Sequence, residues 1–376
     1  MADEYDDIVK QRSLFDWRRR QFLRRVGMIG AGLALTDLIL QHSKSEAASP
    51  NSEKMSQQPG ETSAAAQTST GEIPRRSFGR TGVEVSAIGL GGYHMGVPKD
   101  EQEAIRIIHE AMDAGIDFMD NAWEYNDGVS EQRLGKALRG RRDKAFVMTK
   151  VCTHGRDRKV AMQQLEQSLR RLQTDHIDLW QIHEVVYDND PELHFARGGV
   201  IEALEQAKKE GKVRFVGFTG HKDPTIHLKM LSYNYPFDAC QLPLNCFDAS
   251  FRSFEKQVLP ELQKRGIAAI GMKSLGGSGE PVKQGAIAPQ AALSYAMILP
   301  VATTVSGIDS LKVLRQNLGI ARGFTPMSAE QMQALRDRYA RYAADGRFEL
   351  YKTSKQYDGK PGREQHGFPS QQQLPT

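Results

Sequence analysis

From Arg75 onward, short apolar runs alternate with longer segments of helical repeat. "RRSFGRTGVEV" reads as a hairpin turning at Thr81-Gly82, and "SAIGLGG" as a strand ending in glycines. Over Glu101–Ala114 the apolar residues Ala104, Ile107, Ile108 and Ala111 recur at the spacing of one helix face. A strand at Asp117–Asp120 follows, then a helix at Ser130–Leu138 with Ser130 as its expected N-cap. Ala145–Lys150 reads as a strand, Lys159–Leu172 as a helix, Ile177–His183 as a strand, and Val200–Lys209 as a helix stopped at Gly211. The second half repeats the pattern. Strands at Val213–Phe218, Ala239–Leu242, Ile267–Met272 and Ala302–Val305 are each followed by a helix, at Pro224–Leu231, Phe254–Lys264, Pro289–Met297 and Leu311–Ala321.

Eight strand–helix units predict a parallel sheet, and eight within one domain predict a closed (β/α)8 TIM barrel with an N-terminal hairpin. An open doubly wound sheet would want GxGxxG after its first strand, and "GLGGYHMG" fits that fingerprint poorly. Ser328–Ala343 predicts an extra C-terminal helix with Ser328 as cap. The polar tail beyond it, rich in Gly, Pro and Gln, is expected to be at most partly ordered, lying over the barrel. The expected organisation is a signal region over 1–48, a flexible linker over 49–72, the barrel over 73–345 and the tail over 346–376.

Composition changes this picture little. The chain has 376 residues, 39% hydrophobic and 26% charged, which is ordinary for a globular domain. A net charge of +4 gives no argument for nucleic acid or for a broad membrane-binding face. The cysteines are Cys152, Cys240 and Cys246, with no CxxC, so buried free thiols are expected over a cysteine metal site or a Cys240–Cys246 bridge.

The N-terminus carries an address. "RRRQFLRR" at 18–25 precedes the apolar stretch "VGMIGAGLALTDLIL" and then small residues, the layout of an export signal. Arg19 and Arg20 followed by Gln21, Phe22, Leu23 and Arg24 resemble a twin-arginine (Tat) signal, which implies the Tat export machinery as partner and a periplasmic destination. The apolar run is short for a bilayer and contains Asp37, so a stable membrane span is not expected. Cleavage near Ala47 or Ala48 and an uncleaved tether are the two outcomes.

The chemistry lies at the strand ends. Asp120, Tyr125, Lys150 and His183 each sit at or just past an apolar run, in "FMDNAWEYNDG", "FVMTK" and "IDLWQIHE". A phenol, an ammonium, an imidazole and a carboxylate drawn to one barrel mouth form a proton-delivery set for carbonyl reduction. A metal-dependent hydrolase would want several His and carboxylates there, and only His183 and Asp120 qualify.

Taken together, these segments resemble the aldo-keto reductase family. "FMDNAWEYNDGVSEQRLGKAL" is similar to the family pattern DTAxxYGxSExxLGxAL, with Asn121 for Thr and Asn126 for Gly. "GLGGYHMG", "VMTKV", "IDLWQIHEV", "VRFVGFTGH", "DACQLPLN" and "SGIDSLKVLRQNL" match further family segments in order over about residues 73–325. The resemblance implies a nicotinamide cofactor, NADP with NAD as the alternative, and a small-molecule carbonyl substrate. It implies Tyr125 as general acid, Lys150 as the ammonium that lowers the phenol's pKa from about 10, Asp120 as the partner holding Lys150, and His183 as a hydrogen bond to the carbonyl oxygen.

By the same resemblance Gly91, Gly92 and Asp120 belong to the cofactor site, as do Thr219 and Gly220, the latter standing for a usual Asn with His221 as a replacement donor. Gln241, followed by Asn245, would take the nicotinamide amide. Met272 stands where an aromatic ring often stacks, and Ser274, Leu275 and Gly276 would meet the diphosphate. Gln316 and Asn317 would hold the adenosine end, with Lys312 and Arg315 as stand-ins at the 2′-phosphate. Apart from the resemblance, Trp123, between Asp120 and Tyr125, either packs under the loop or lines the substrate mouth, and Tyr93 and His94 lie near the mouth with less support. A cofactor-binding barrel serving as a sensor or partner subunit is the alternative function.

Overall fold

A computed structural model describes residues 71–152 and 157–365. The expected signal region and most of the linker lie outside the described residues. Eight strands close a parallel barrel: β3 (Ile88–Gly91), β4 (Phe118–Met119), β5 (Phe146–Val151), β6 (Ile177–Ile182), β7 (Val213–Thr219), β8 (Ala239–Pro243), β9 (Ala268–Met272) and β10 (Thr303–Gly307), with β10 pairing back onto β3. β5 and β6 are buried at every position, because helices cover one face and the barrel interior the other.

The antiparallel hairpin of β1 (Arg75–Ser77) and β2 (Glu84–Ser86) stands apart from this sheet. Phe78 and Val85 from the hairpin join Phe118, Phe146, Met148, Leu179, Ile270 and Val305 in one apolar cluster, so the hairpin plugs the barrel's N-terminal end. Phe78 lies 4.9 Å from Phe146, whose ring stacks on Phe118 at 5.2 Å. Arg80 locks the plug by donating to the carbonyls of Arg265 and Phe237.

Several elements differ from expectation for identifiable reasons. Ser130 is not an N-cap: the helix runs Val129–Ala137 from Gly128, and the Ser130 hydroxyl instead donates to the Gly92 carbonyl at 2.6 Å. The helix expected at Phe254–Lys264 is two pieces, Phe254–Gln257 and Leu259–Arg265, with Pro260 at the start of the second. Short helices also form at Gly92–Met95 and Asp190–Phe195, where no periodic pattern announced them. Ala329–Ala343 has the expected Ser328 cap, completed by a reciprocal bond from Gln331.

The polar tail is more ordered than its composition suggested. Leu350–Thr353 and Lys360–Gln365 are helical, and Tyr351, Lys352, Asp358 and Arg363 are buried. Lys352 reaches Asp248 at 2.6 Å and Glu349 at 2.9 Å, while Tyr351 bonds to Asn245, so polar side chains anchor what apolar ones do not. Residues 366–376 lie outside the described residues. All three cysteines are buried, and Cys240 and Cys246 are unbridged thiols, as expected.

Because Phe78 is fully buried in the plug, Phe78→Ala should lower unfolding stability by about 3–5 kcal/mol, read as a fall in urea midpoint. An unchanged midpoint would mean the plug does not support the barrel.

Candidate active site

The four expected catalytic residues converge at the C-terminal ends of β4, β5 and β6. Asp120 follows β4, its backbone N–H donating to the Leu90 carbonyl of β3. Lys150 lies within β5, and the N–H of Trp123 donates to its carbonyl at 3.1 Å. His183 follows β6, its N–H donating to Val151 of β5 at 2.8 Å. The strand ends are thus cross-linked by the same peptide groups that carry the side chains.

Tyr125 comes from a turn rather than a strand. It opens a short 3-10 segment, Tyr125–Gly128, in which Asn126 and Asp127 have φ of 52° and 54°. Asn and Asp tolerate this left-handed region better than other non-glycine residues. Asn126 in place of glycine therefore preserves the turn that brings the phenol inward.

Lys150 is the hub. Its Nζ lies 2.5 Å from Asp120 Oδ1, donates to the Asn121 carbonyl at 2.7 Å and reaches Tyr125 Oη at 3.3 Å. Asp120 also accepts from the Gly92 N–H. That approach needs a glycine, since a Cβ on residue 92 would fall 2.4 Å from the Asp120 carbonyl oxygen. Lys150 and Asp120 are almost wholly buried.

The expectation that the ammonium lowers the Tyr125 pKa is not met in the resting site. Burial, followed by the charges of Asp120, Glu124 and Glu184, holds the phenol well above its ordinary value. Tyr125 is therefore a retained proton donor. Lys150 is placed to stabilise negative charge on its oxygen only as the proton leaves.

Two neighbours were not signalled by any motif reading. Glu124 Oε1 lies 2.8 Å from His183 Nδ1. A carboxylate there favours a proton on Nδ1 and leaves Nε2 for other contacts. Glu184, buried beside it, is raised to about 7 by burial, an effect that His183 opposes. Glu124, Cys152 and His183 also bring potential metal-ligating atoms within 4.8 Å of one another, the one such group among the described residues. Only the adjacency of Glu124 to Tyr125 and of Cys152 to the Lys150 strand could have hinted at them.

Cofactor candidates divide into two sets. Gly91, Thr219, Gln241 and Met272 end or sit near the end of β3, β7, β8 and β9, with Gly92 opening the short helix after β3 and Gly220, Ser274, Leu275 and Gly276 in the loops just beyond the other strands. Gly220 is required by close approach, because a Cβ would fall 2.1 Å from the Val185 carbonyl oxygen. The residue that stands for the family's Asn thus has no room for a side chain. His221 does not replace it as an open donor: it is buried against Glu184 and Asp358, and burial depresses its pKa to about 3. Gln241 shares a hydrogen bond with Gln181 inside the barrel.

On the helix after β10, Asn317 donates to Ser306 and Gln316 is exposed. Arg315 is engaged by Glu110 at 2.8 Å, whereas Lys312 is exposed. Trp123 packs toward the helix Arg158–Leu172, donating to Gln167 with Arg171 over its ring. Tyr93 is exposed and meets the Tyr125 ring edge-on at 5.8 Å, whereas His94 is half-buried. A cleft of about 530 Å³ at the opposite end of the barrel includes Arg75, Asp113, Asp117 and Arg141, and these charges pair with one another. That end of such barrels serves stability.

Ionisation of Tyr125 can be followed directly. Ultraviolet difference titration of wild type against Tyr125→Phe should show no phenolate from this residue up to about pH 10, because a raised pKa keeps the proton on as pH climbs. A phenolate appearing near neutral pH would contradict the assignment.

The chain is also similar to known proteins. A family model described as the aldo/keto reductase family matches residues 87–280. The chain is 30% identical over 208 residues to the aldo-keto reductase YhdN of Bacillus subtilis, covering 52% of this chain and 60% of that protein. It is 32% identical over 222 residues to the uncharacterized oxidoreductase YrpG of the same organism, covering 53% and 66% respectively. In fold it is similar to an aldo-keto reductase from Klebsiella pneumoniae in complex with NADPH, with a TM-score of 0.59 and 22% identity over 71% of this chain and 96% of that one. The chain belongs to the aldo/keto reductase family.

Proposed function

We propose that this protein is an NADP-dependent oxidoreductase, with NAD as the alternative, that reduces a small carbonyl compound or oxidises the corresponding alcohol. The observation that carries this reading is the contact of Lys150 Nζ with both Asp120 and Tyr125. A barrel acting only as a sensor has no need of a buried ammonium held against a phenol. The relatives named as reductase and oxidoreductase support the same reading, as does the Klebsiella protein in complex with NADPH.

The residues at the mouth suit such a cofactor chemically. Strand ends with closely approaching glycines, a glycine-containing loop after β9 and the Lys273 cation offer room and charge for a dinucleotide diphosphate. When bound, the reduced nicotinamide supplies hydride to the carbonyl carbon. Tyr125 gives its proton to the carbonyl oxygen, and Lys150 stabilises the phenolate that this creates. Asp120 holds the ammonium in place, since a buried ion pair keeps its geometry. His183, oriented by Glu124, lies with its ring edge-on to Tyr125 at 5.7 Å and positions the same oxygen. In the alcohol direction the proton returns along the same contacts.

Tyr125→Phe should lower kcat for reduction across an aldehyde and sugar panel by about 10²–10⁴, with NADPH affinity kept. Wild-type-like turnover in that variant would end the proton-donor role. A wild type that binds neither dinucleotide would end the oxidoreductase reading.

We further propose that the chain is exported through the Tat route. The support is the "RRRQFLRR" segment followed by a mildly apolar run. This pathway carries folded proteins, so the cofactor would be acquired before export. Replacing Arg19 and Arg20 together by Lys should retain the protein in the cytoplasm on fractionation. Undiminished export of the double variant would refute the proposal.

A further inference from the structure

Three donor atoms of different chemistry meet beside the His183 imidazole. β5 and β6 run parallel and pair Val151 with Ile182, so the next residues, Cys152 and His183, leave the two strands side by side. Glu124 comes from the segment between β4 and Tyr125. Its Oε1 lies 2.8 Å from His183 Nδ1, and the ligating atoms of Glu124, Cys152 and His183 all lie within 4.8 Å of one another. Cys152 and His183 are buried and Glu124 is half-buried.

The backbone around this cluster is pinned. Gln164, itself buried, accepts from the Cys152 N–H at 2.8 Å and donates to the Cys152 carbonyl at 3.1 Å. The His183 N–H donates to Val151, and the N–H of Trp123, next to Glu124, donates to the Lys150 carbonyl. The donors therefore stand on fixed peptides, as a metal site requires of its supporting shell. Lys150, in the same mouth, is matched by Asp120, and Glu184 adds a second carboxylate beside Glu124.

His183 gives a separate indication. Its Nδ1 is buried, and the contact with Glu124, though short, lacks the alignment of a hydrogen bond. No other hydrogen-bond partner reaches that atom among the described residues. A buried polar atom in this state is uncommon and calls for a partner. An imidazole nitrogen is also the commonest protein ligand for metal ions.

The donor set selects among ions. Sulfur favours borderline-soft cations over magnesium and calcium, which take oxygen. Zinc binds sulfur at about 2.3 Å and nitrogen or carboxylate oxygen at about 2.0–2.2 Å. Tetrahedral donors at those lengths stand about 3.3–3.7 Å apart, so the three atoms need shifts of only about 1 Å. Thiolate and carboxylate together balance the two charges of the ion. The thiol proton leaves to solvent as the zinc–sulfur bond forms, and the imidazole stays neutral by carrying its one proton on Nε2.

We propose that Glu124, Cys152 and His183 form a binding site for a thiophilic divalent cation, with zinc as the fitting ion and the fourth position left to water. The ion would hold Glu124 and His183, the residues that position the carbonyl oxygen, and so bring metal supply into contact with the reaction. The site goes beyond the oxidoreductase reading. Its test uses neither dinucleotide nor carbonyl compound, so either idea can fail alone.

Calorimetric titration of the untagged full chain with zinc should show about one equivalent bound, with a Kd in the micromolar range or tighter. Titrations in two buffers of different ionisation enthalpy should show about one proton released. Cobalt(II) in place of zinc should give a sulfur-to-cobalt charge-transfer band. Cys152→Ser should abolish that band and raise the zinc Kd at least about tenfold. Glu124→Gln should raise the Kd and keep the band, and Cys246→Ser should change neither. Wild type that binds no zinc in that range would overturn the proposal, as would a band and Kd that survive Cys152→Ser. Should the serine variant fail to fold, Glu124→Gln carries the test, and an unchanged Kd in it overturns the site.

Discussion

The buried pairing of Lys150 with Asp120 is the constraint around which the mouth of this barrel is organised. Two charges almost out of water demand full satisfaction, and they receive it. The carboxylate takes the ammonium on one oxygen and the Gly92 N–H on the other, while the ammonium also reaches the Asn121 carbonyl and the Tyr125 hydroxyl. Breaking such a pair from one side leaves an uncompensated buried charge, at a cost of about 3–5 kcal/mol. The glycine at 92, the short β4 and the turn at Tyr125 can each be understood as what this pairing requires of its surroundings.

The resting pKa balance follows from the same enclosure. Burial and three carboxylates keep Tyr125 protonated, and Lys150 does not outweigh them. This suits an acid that must hold its proton until a carbonyl oxygen gathers charge. Glu124 and Glu184 act on the same centre from the His183 side, so the mouth carries more negative charge than the four expected residues alone would bring.

The C-terminal segment gives the mouth its outer wall. It is anchored by polar contacts at several strand ends: Lys222 with Asp358 beyond β7, Asn245 with Tyr351 beyond β8, Tyr357 with Ser278 beyond β9, and the Gly359 N–H to Glu184 beyond β6. Its low apolar content hid this role, because a segment secured by buried ion pairs shows no hydrophobic period. The same distributed anchoring places two tyrosine rings, Tyr351 and Tyr357, beside the Lys273 ammonium.

By itself the sequence determined the eight strand–helix units, the parallel closed sheet and the four residues Asp120, Tyr125, Lys150 and His183, since apolar periodicity and strand-end position are local properties of the chain. It also carried the family resemblance in ordered motifs. Only the tertiary structure decided that Ser130 bonds to Gly92 and caps no helix, that Gly220 must stay bare beneath Val185, and that Glu124 partners His183. It likewise decided that Arg315 is engaged by Glu110, that Phe78 plugs the barrel, and that the tail closes over the mouth. These are contacts between residues far apart in the chain or set by the exact path of a turn. Their physical basis is packing distance and shared burial, which no local pattern of residue types encodes.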